Sequence, residues 1–167
     1  KIRASTVTTL PTGVVLPPGA RISSDPVAFD VRAQSDLSVS LHVEADSGPT
    51  TSHPIGLRGA WMAPSNQVMA EKLEGATQFR SYLWLDGIDV NASPRAAAII
   101  AFGDSITDGF STTLDVDMPW PSILARRLGA RRGMATRSVI NMGISGNRVL
   151  REGAAQVIAR HADVLGH

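Results

Sequence analysis

The stretch Ala96 to Gly109, AAAIIAFGDSITDG, constrains this chain more than any other. A short run of alanine, isoleucine and phenylalanine ends abruptly in Gly103-Asp104-Ser105. Apolar runs of this length bounded by turn residues read as a strand buried on both faces. Ser105 then falls at the carboxyl end of that strand, on a tight turn supplied by Gly103. In open α/β sheets that end is where ligands bind. A serine there is presented to a pocket and kept out of the core.

Beyond Gly109 the pattern alternates helix and strand. A loop rich in Thr, Ser and Asp runs from Gly109 to Met118. Pro119-Trp120-Pro121 opens a helix expected to reach about Arg132, with Pro121 suited to its first turn and Gly133 as a C-terminal stop. Ile123, Leu124 and Leu128 form its apolar stripe. Ser138 to Met142 reads as a second strand, and Gly143 to Asn147 as a loop with Asn147 as N-cap. A last helix is expected from Arg148 to Leu165. This order predicts a parallel sheet with right-handed crossovers, so both loops should face one pocket.

The first half reads differently. Val27, Phe29 and Val31 alternate with polar or small residues, as do Leu37, Val39, Leu41 and Val43, and Phe79, Ser81, Leu83 and Leu85 alternate with Gln78, Arg80, Tyr82 and Trp84. A period of two separated by turn signals, Pro17-Pro18-Gly19, Ser24-Asp25-Pro26, Ser47-Gly48-Pro49 and Asp86-Gly87, predicts short antiparallel strands in a sandwich. One short helix is a candidate at Asn66 to Leu73. Ser93-Pro94-Arg95 reads as the linker, which places a β-sandwich accessory domain at 1–94 and an α/β domain at 95–167.

Composition narrows the function classes. Sixteen basic and 15 acidic residues leave a net charge of +1, which gives no electrostatic case for nucleic acid or an anionic membrane as partner. No run of 18 apolar residues marks a membrane span. The chain has no cysteine, which excludes disulfides and thiolate metal sites. His42 lies on the polar face of its expected strand and reads as a solvated surface histidine. His53 lies in the loop Thr50 to Pro54, and loops carry function disproportionately. Trp61, Tyr82 and Trp84 read as packing residues, with a sugar-stacking platform as the functional alternative. Asp104 and Asp108 read as turn and cap residues. Asp115 and Asp117 read as solvated loop carboxylates in preference to a D-x-D metal motif, and no cofactor is expected.

Serine nucleophiles need an exposed hydroxyl, a base and donors for the oxyanion. Ser105 supplies the hydroxyl and, through its own amide, one donor. Gly146, without a side chain and just before the last expected helix, is a second candidate donor. The two blocks Gly103-Asp104-Ser105-Ile106-Thr107-Asp108-Gly109 and Val139-Ile140-Asn141-Met142-Gly143-Ile144-Ser145-Gly146-Asn147 resemble the first two sequence blocks of the SGNH (GDSL) hydrolases. The resemblance implies Ser105 as nucleophile, Gly146 as oxyanion donor and a flavodoxin-like three-layer α/β/α fold. The β-rich first half resembles, more loosely, the jelly-roll-like domain that precedes the catalytic domain in some bacterial members.

The family's third block, Gly-x-Asn-Asp, and its last, Asp-x-x-His, do not occur here; His161 and His167 lack an aspartate three residues earlier. The expectation is therefore of a fragment, or one piece of a nicked protein, partnered by a missing C-terminal portion that carries the base and a further oxyanion donor. The resemblance implies a serine ester hydrolase acting on short-chain or acetyl esters of carbohydrates or small alcohols, secreted or periplasmic. The rival is a glycan-binding module or inactive fragment.

Overall fold

The computed structural model of the chain describes residues 14–17, 19–48, 50 and 52–148. In chain order they form β1 (Ser52–His53), β2 (Ala60–Met62), β3 (Thr77–Phe79), β4 (Tyr82–Leu83), β5 (Ala97–Gly103), α1 (Ser105–Asp108), α2 (Trp120–Ala130) and β6 (Arg137–Gly143). The strands pair as three two-stranded sheets: β1 with β4 and β2 with β3, both antiparallel, and β5 with β6 in parallel.

The parallel pair is the organising element. Ile99 faces Val139, Ala101 faces Asn141 and Gly103 faces Gly143 along its register, so both strands end level with one another. Helix α2 packs against β6, and α1 packs against the ends of both strands. Pro121 is fully buried at the start of α2 and fits the first turn, where no amide partner is needed. The helix stops at Ala130, with Arg131 as its cap, just short of the expected end at Arg132. Gly133 takes a left-handed φ of 79° in the turn after it. Ser93-Pro94-Arg95 forms a turn, closed by the Ala96 amide donating to the Ser93 carbonyl at 2.8 Å. The expected helix from Arg148 to Leu165 lies outside the described residues, apart from Arg148 itself.

The first half departs from the expected sandwich. No strand forms over Val27 to Val31 or Leu37 to Val43, and the apolar residues of both runs are exposed. Alternation makes a strand only when a partner satisfies its backbone and covers one face, and no described segment pairs with either run. The run Gln78 to Leu85 is split, because β3 pairs with β2 and β4 pairs with β1. Asn66 to Leu73 is not helical: the Asn66 side chain accepts from the Val68 amide at 3.3 Å, and the Gln67 amide group bridges the Glu74 N–H and carbonyl. A side chain that bonds its own nearby backbone competes with the helical ladder. Neither the jelly-roll-like sandwich nor three layers are formed by the described residues, which contain two parallel strands with α1 and α2 against them.

The site lies where β5 and β6 end. Residues of the first half reach it: Leu57 accepts from the Asp115 amide at 2.9 Å, and the Gly59 amide donates to Asp115 Oδ1 at 2.8 Å. Arg58 donates to Asp36 Oδ1 at 2.7 Å and to the Asp117 carboxylate.

Candidate active site

Strand β5 delivers the chain into Asp104, whose extended backbone and side chain cap α1 by accepting from the Ile106 amide at 2.9 Å. This is the role expected of an aspartate at that point. Ser105 is the first residue of α1 and is partly exposed. Its carbonyl accepts from the amides of Gly109 and Phe110, both at 2.9 Å, so the turn closes on itself. Gly109 ends it with a left-handed φ of 102°, and a Cβ there would run into Pro119 and Leu57. Only glycine suits both the angle and the space.

Strand β6 delivers the second loop to the same end. The Ile144 amide donates to the Gly103 carbonyl at 3.0 Å, extending the parallel ladder into the loop. Gly143 packs so closely on α1 that a Cβ would lie 2.7 Å from both Asp108 Cα and the Thr107 carbonyl carbon, and closer still to the Asp108 amide. The side chain of Asn141 fastens the two loops: its Nδ2 donates to the Thr107 carbonyl at 2.9 Å, and its Oδ1 accepts from the Gly143 amide at 2.9 Å. Gly146 is exposed, at a φ of 88°. Among the described residues, the amides of Ser105 and Gly146 donate to no acceptor. The hydroxyl of Ser105 makes no hydrogen bond among them either.

Asp108 does more than shape the turn. It is 7% exposed, and its carboxylate accepts from three donors. Oδ1 lies 3.0 Å from His53 Nε2. Oδ2 accepts from the Ser145 amide at 3.2 Å and the Ser145 hydroxyl at 2.7 Å. A carboxylate so buried is tolerated because its oxygens are engaged. His53 is set in place by strand pairing, since it lies opposite Tyr82 in the β1–β4 ladder. The two rings stack with centroids 5.7 Å apart. The Tyr82 hydroxyl in turn accepts from the amides of Leu57 at 3.1 Å and Arg58 at 2.9 Å. An open cleft lined by Pro54, Ile55, Arg80, Phe110, Ser111 and Thr112 flanks this arrangement.

Of the residues singled out in the sequence, Ser105 and Gly146 are placed at the ends of paired parallel strands, and His53 joins them through Asp108. His42 is exposed, as are Trp61 and Trp84; Tyr82 packs on His53. Asp115 and Asp117 hold Arg58 and the Gly59 amide, and no group of three or more metal-ligating side chains exists among the described residues. His161 and His167 lie outside the described residues. Sequence reasoning missed Asp108 and Asn141 as fasteners. The available signal was spacing: Asp108 lies three residues beyond Ser105, which puts both on one side of a helical turn.

The arrangement is a partly exposed serine at a strand end, with amides on its own turn and on the neighbouring loop that meet no acceptor among the described residues. A hydroxyl and free amides are two of the three things that nucleophilic serine chemistry needs, the third being a base. A comparison with curated proteins finds no match. Over residues 101–167, a span that holds Ser105, Asp108, Asn141 and Gly146, the chain is similar to the GDSL-like lipase/acylhydrolase family, and that similarity supports a hydrolase of the ester type.

Proposed function

We propose that this chain carries the nucleophile and part of the oxyanion hole of a serine ester hydrolase acting on short-chain or acetyl esters of carbohydrates or small alcohols. The observation that carries the reading is the placement of Ser105 and Gly146 at the level ends of the parallel pair β5–β6, within the span similar to the acylhydrolase family. In the reaction, Ser105 Oγ attacks the ester carbonyl and a general base takes its proton. The carbonyl oxygen gains negative charge and is held by the amides of Ser105 and Gly146. The tetrahedral intermediate collapses with loss of the alcohol, which takes up the proton. Water then attacks the acyl-serine and releases the acid, returning the proton to Ser105. Removal of one oxyanion donor in such sites costs about 10²–10³ in kcat, so both amides matter.

Ser105 and Gly146 carry these roles; the patterns Gly-x-Asn-Asp and Asp-x-x-His, which supply a further donor and the base in the family that the chain resembles, do not occur in this sequence. No cofactor takes part in these steps. A glycan-binding role is the second reading, favoured by the exposure of Trp61 and Trp84; aromatic faces of this kind stack on apolar faces of sugars.

The test is hydrolysis of p-nitrophenyl acetate by the protein beside its Ser105→Ala variant. The reading expects turnover that the variant loses. Turnover unchanged in Ser105→Ala contradicts it. Glycan binding that survives Ser105→Ala, with no turnover by the unaltered protein, supports the second reading.

A further inference from the structure

The role just proposed for Ser105 and Gly146 requires that two separate loops stay in register, and one buried group spans them. Asp108 belongs to the turn of Ser105, and its Oδ2 accepts from both donors of Ser145, the residue before Gly146. Its Oδ1 is taken by His53, which comes from a distant part of the chain. An ionised carboxylate oxygen only accepts, so in this contact the proton lies on His53 Nε2. The ring cannot swing away freely, because it stacks on Tyr82 and lies in the β1–β4 ladder. Tyr82 is itself pinned by the Leu57 and Arg58 amides. A continuous set of contacts therefore runs from residues 57–58 through Tyr82, His53 and Asp108 to the loop of Gly146.

Resting on the esterase reading, we infer that His53 and Asp108 are positioning residues: His53 holds the Asp108 carboxylate in the rotamer that fixes Ser145, and thereby sets the Gly146 amide against Ser105. Two features make this more than generic packing. The three donors come from two segments, 37 and 55 residues from Asp108 in sequence, so losing one changes the balance on a single shared acceptor. Beyond the Ile144–Gly103 bond that ends the ladder, Ser145 is tied to the first loop through Asp108 alone among the described residues, its amide and hydroxyl both going to that carboxylate. Polar networks that orient a reacting group act through geometry, and displacement by about 1 Å costs about 10²-fold in rate.

The experiment compares four variants of the full protein with p-nitrophenyl acetate: His53→Phe, His53→Gln, Ser145→Ala and the double variant His53→Phe/Ser145→Ala. Phenylalanine keeps the stack on Tyr82 and removes the donor, whereas glutamine returns a donor. The expected result is a fall in kcat of roughly 10- to 100-fold in His53→Phe and in Ser145→Ala, with KM nearly unchanged. His53→Gln recovers most of it. The double variant loses less than the product of the single losses, because both act through Asp108.

Wild-type kcat in Ser145→Ala or His53→Phe overturns the inference, as does a strictly multiplicative double variant. If His53→Gln is as inactive as Ser105→Ala, His53 is the base and not a positioning residue. Should His53→Phe lose its melting transition, Ser145→Ala and His53→Gln decide. A readout independent of turnover separates this inference from the esterase reading. The Ser145 and Gly146 amide resonances shift in His53→Phe and return in His53→Gln; resonances that stay put overturn the positioning link, whereas activity surviving Ser105→Ala overturns the esterase reading itself.

Discussion

Replacing Gly143 by alanine puts the closest packing in the site to a direct test. The added Cβ would lie 2.7 Å from Asp108 Cα and from the Thr107 carbonyl carbon. Carbon atoms reach favourable contact only at about 3.5–4.0 Å, so the end of β6 and α1 must part by about 1 Å. Neither neighbour can yield by rotating a side chain, because all the atoms met are backbone. Overpacking of this kind costs about 1–3 kcal/mol, which lowers Tm by roughly 3–10 °C in a protein of this size. The same displacement opens the gap between Ser105 and Gly146, where about 1 Å costs about 10²-fold in rate. Differential scanning calorimetry and kcat/KM on p-nitrophenyl acetate give the two numbers. Gly129→Ala is the control, since nothing lies within 4 Å of a Cβ there and the residue sits inside α2. Relieving the conformational entropy of a helical glycine stabilises by about 0.5–1 kcal/mol. Gly143→Ala with unaltered Tm and kcat/KM would refute the packing argument.

Substitutions at three further residues probe the frame around the site. Tyr82→Phe strips the acceptor from two partly buried amides, Leu57 and Arg58; a loss of about 1–3 kcal/mol is expected, together with faster hydrogen exchange at both amides, and unchanged exchange would contradict it. Arg58→Ala removes the cation shared by Asp36 and Asp117, all three side chains being more than a third exposed, so the stability loss should be no more than about 1 kcal/mol. It should shrink in 1 M salt, where the screening length falls to about 3 Å; a salt-independent loss in the melting curve means that the hydrogen bond to the Asp115 carbonyl, not charge, is what matters. Asn141→Ala unfastens β6 from α1 and should lower both Tm and kcat, whereas Asn141→Asp, which keeps the acceptor for Gly143 but loses the donor to Thr107, should be no better.

The limits of the parallel elements are legible in the sequence because their signals are local, but the burial on both faces expected of the first strand is not found. Ile99, Ile100 and Phe102 are exposed and only Ala101 of that strand is buried, since among the described residues β5 pairs on one edge alone. The run from Ala96 ends in a glycine, the helix opens on Pro121, and the second strand ends in Gly143, so the strand and helix limits fall within two residues of expectation. The antiparallel half is not legible, because alternation reports a strand's faces and not its partner. Val27 to Val31 and Leu37 to Val43 carry a period of two, yet no described segment pairs with them. The site divides along the same line. Ser105 and Gly146 stand out from turn chemistry and block spacing. The His53–Asp108 contact spans 55 residues and depends on β1 meeting β4, which no spacing in the chain encodes. Asp104 and Asp108 look alike in sequence, both as turn and cap residues; burial separates them, since Asp104 is exposed and caps the helix while Asp108 is enclosed.

The central claim is that Ser105 is the nucleophile, and covalent trapping tests it most directly. The protein is treated with a fluorophosphonate, in which a competent serine oxygen displaces fluoride at phosphorus, and the labelled peptide is mapped by mass spectrometry. The account predicts a single adduct on Ser105, absent from Ser105→Ala. An adduct on another residue, or none from a protein that hydrolyses p-nitrophenyl acetate, contradicts it.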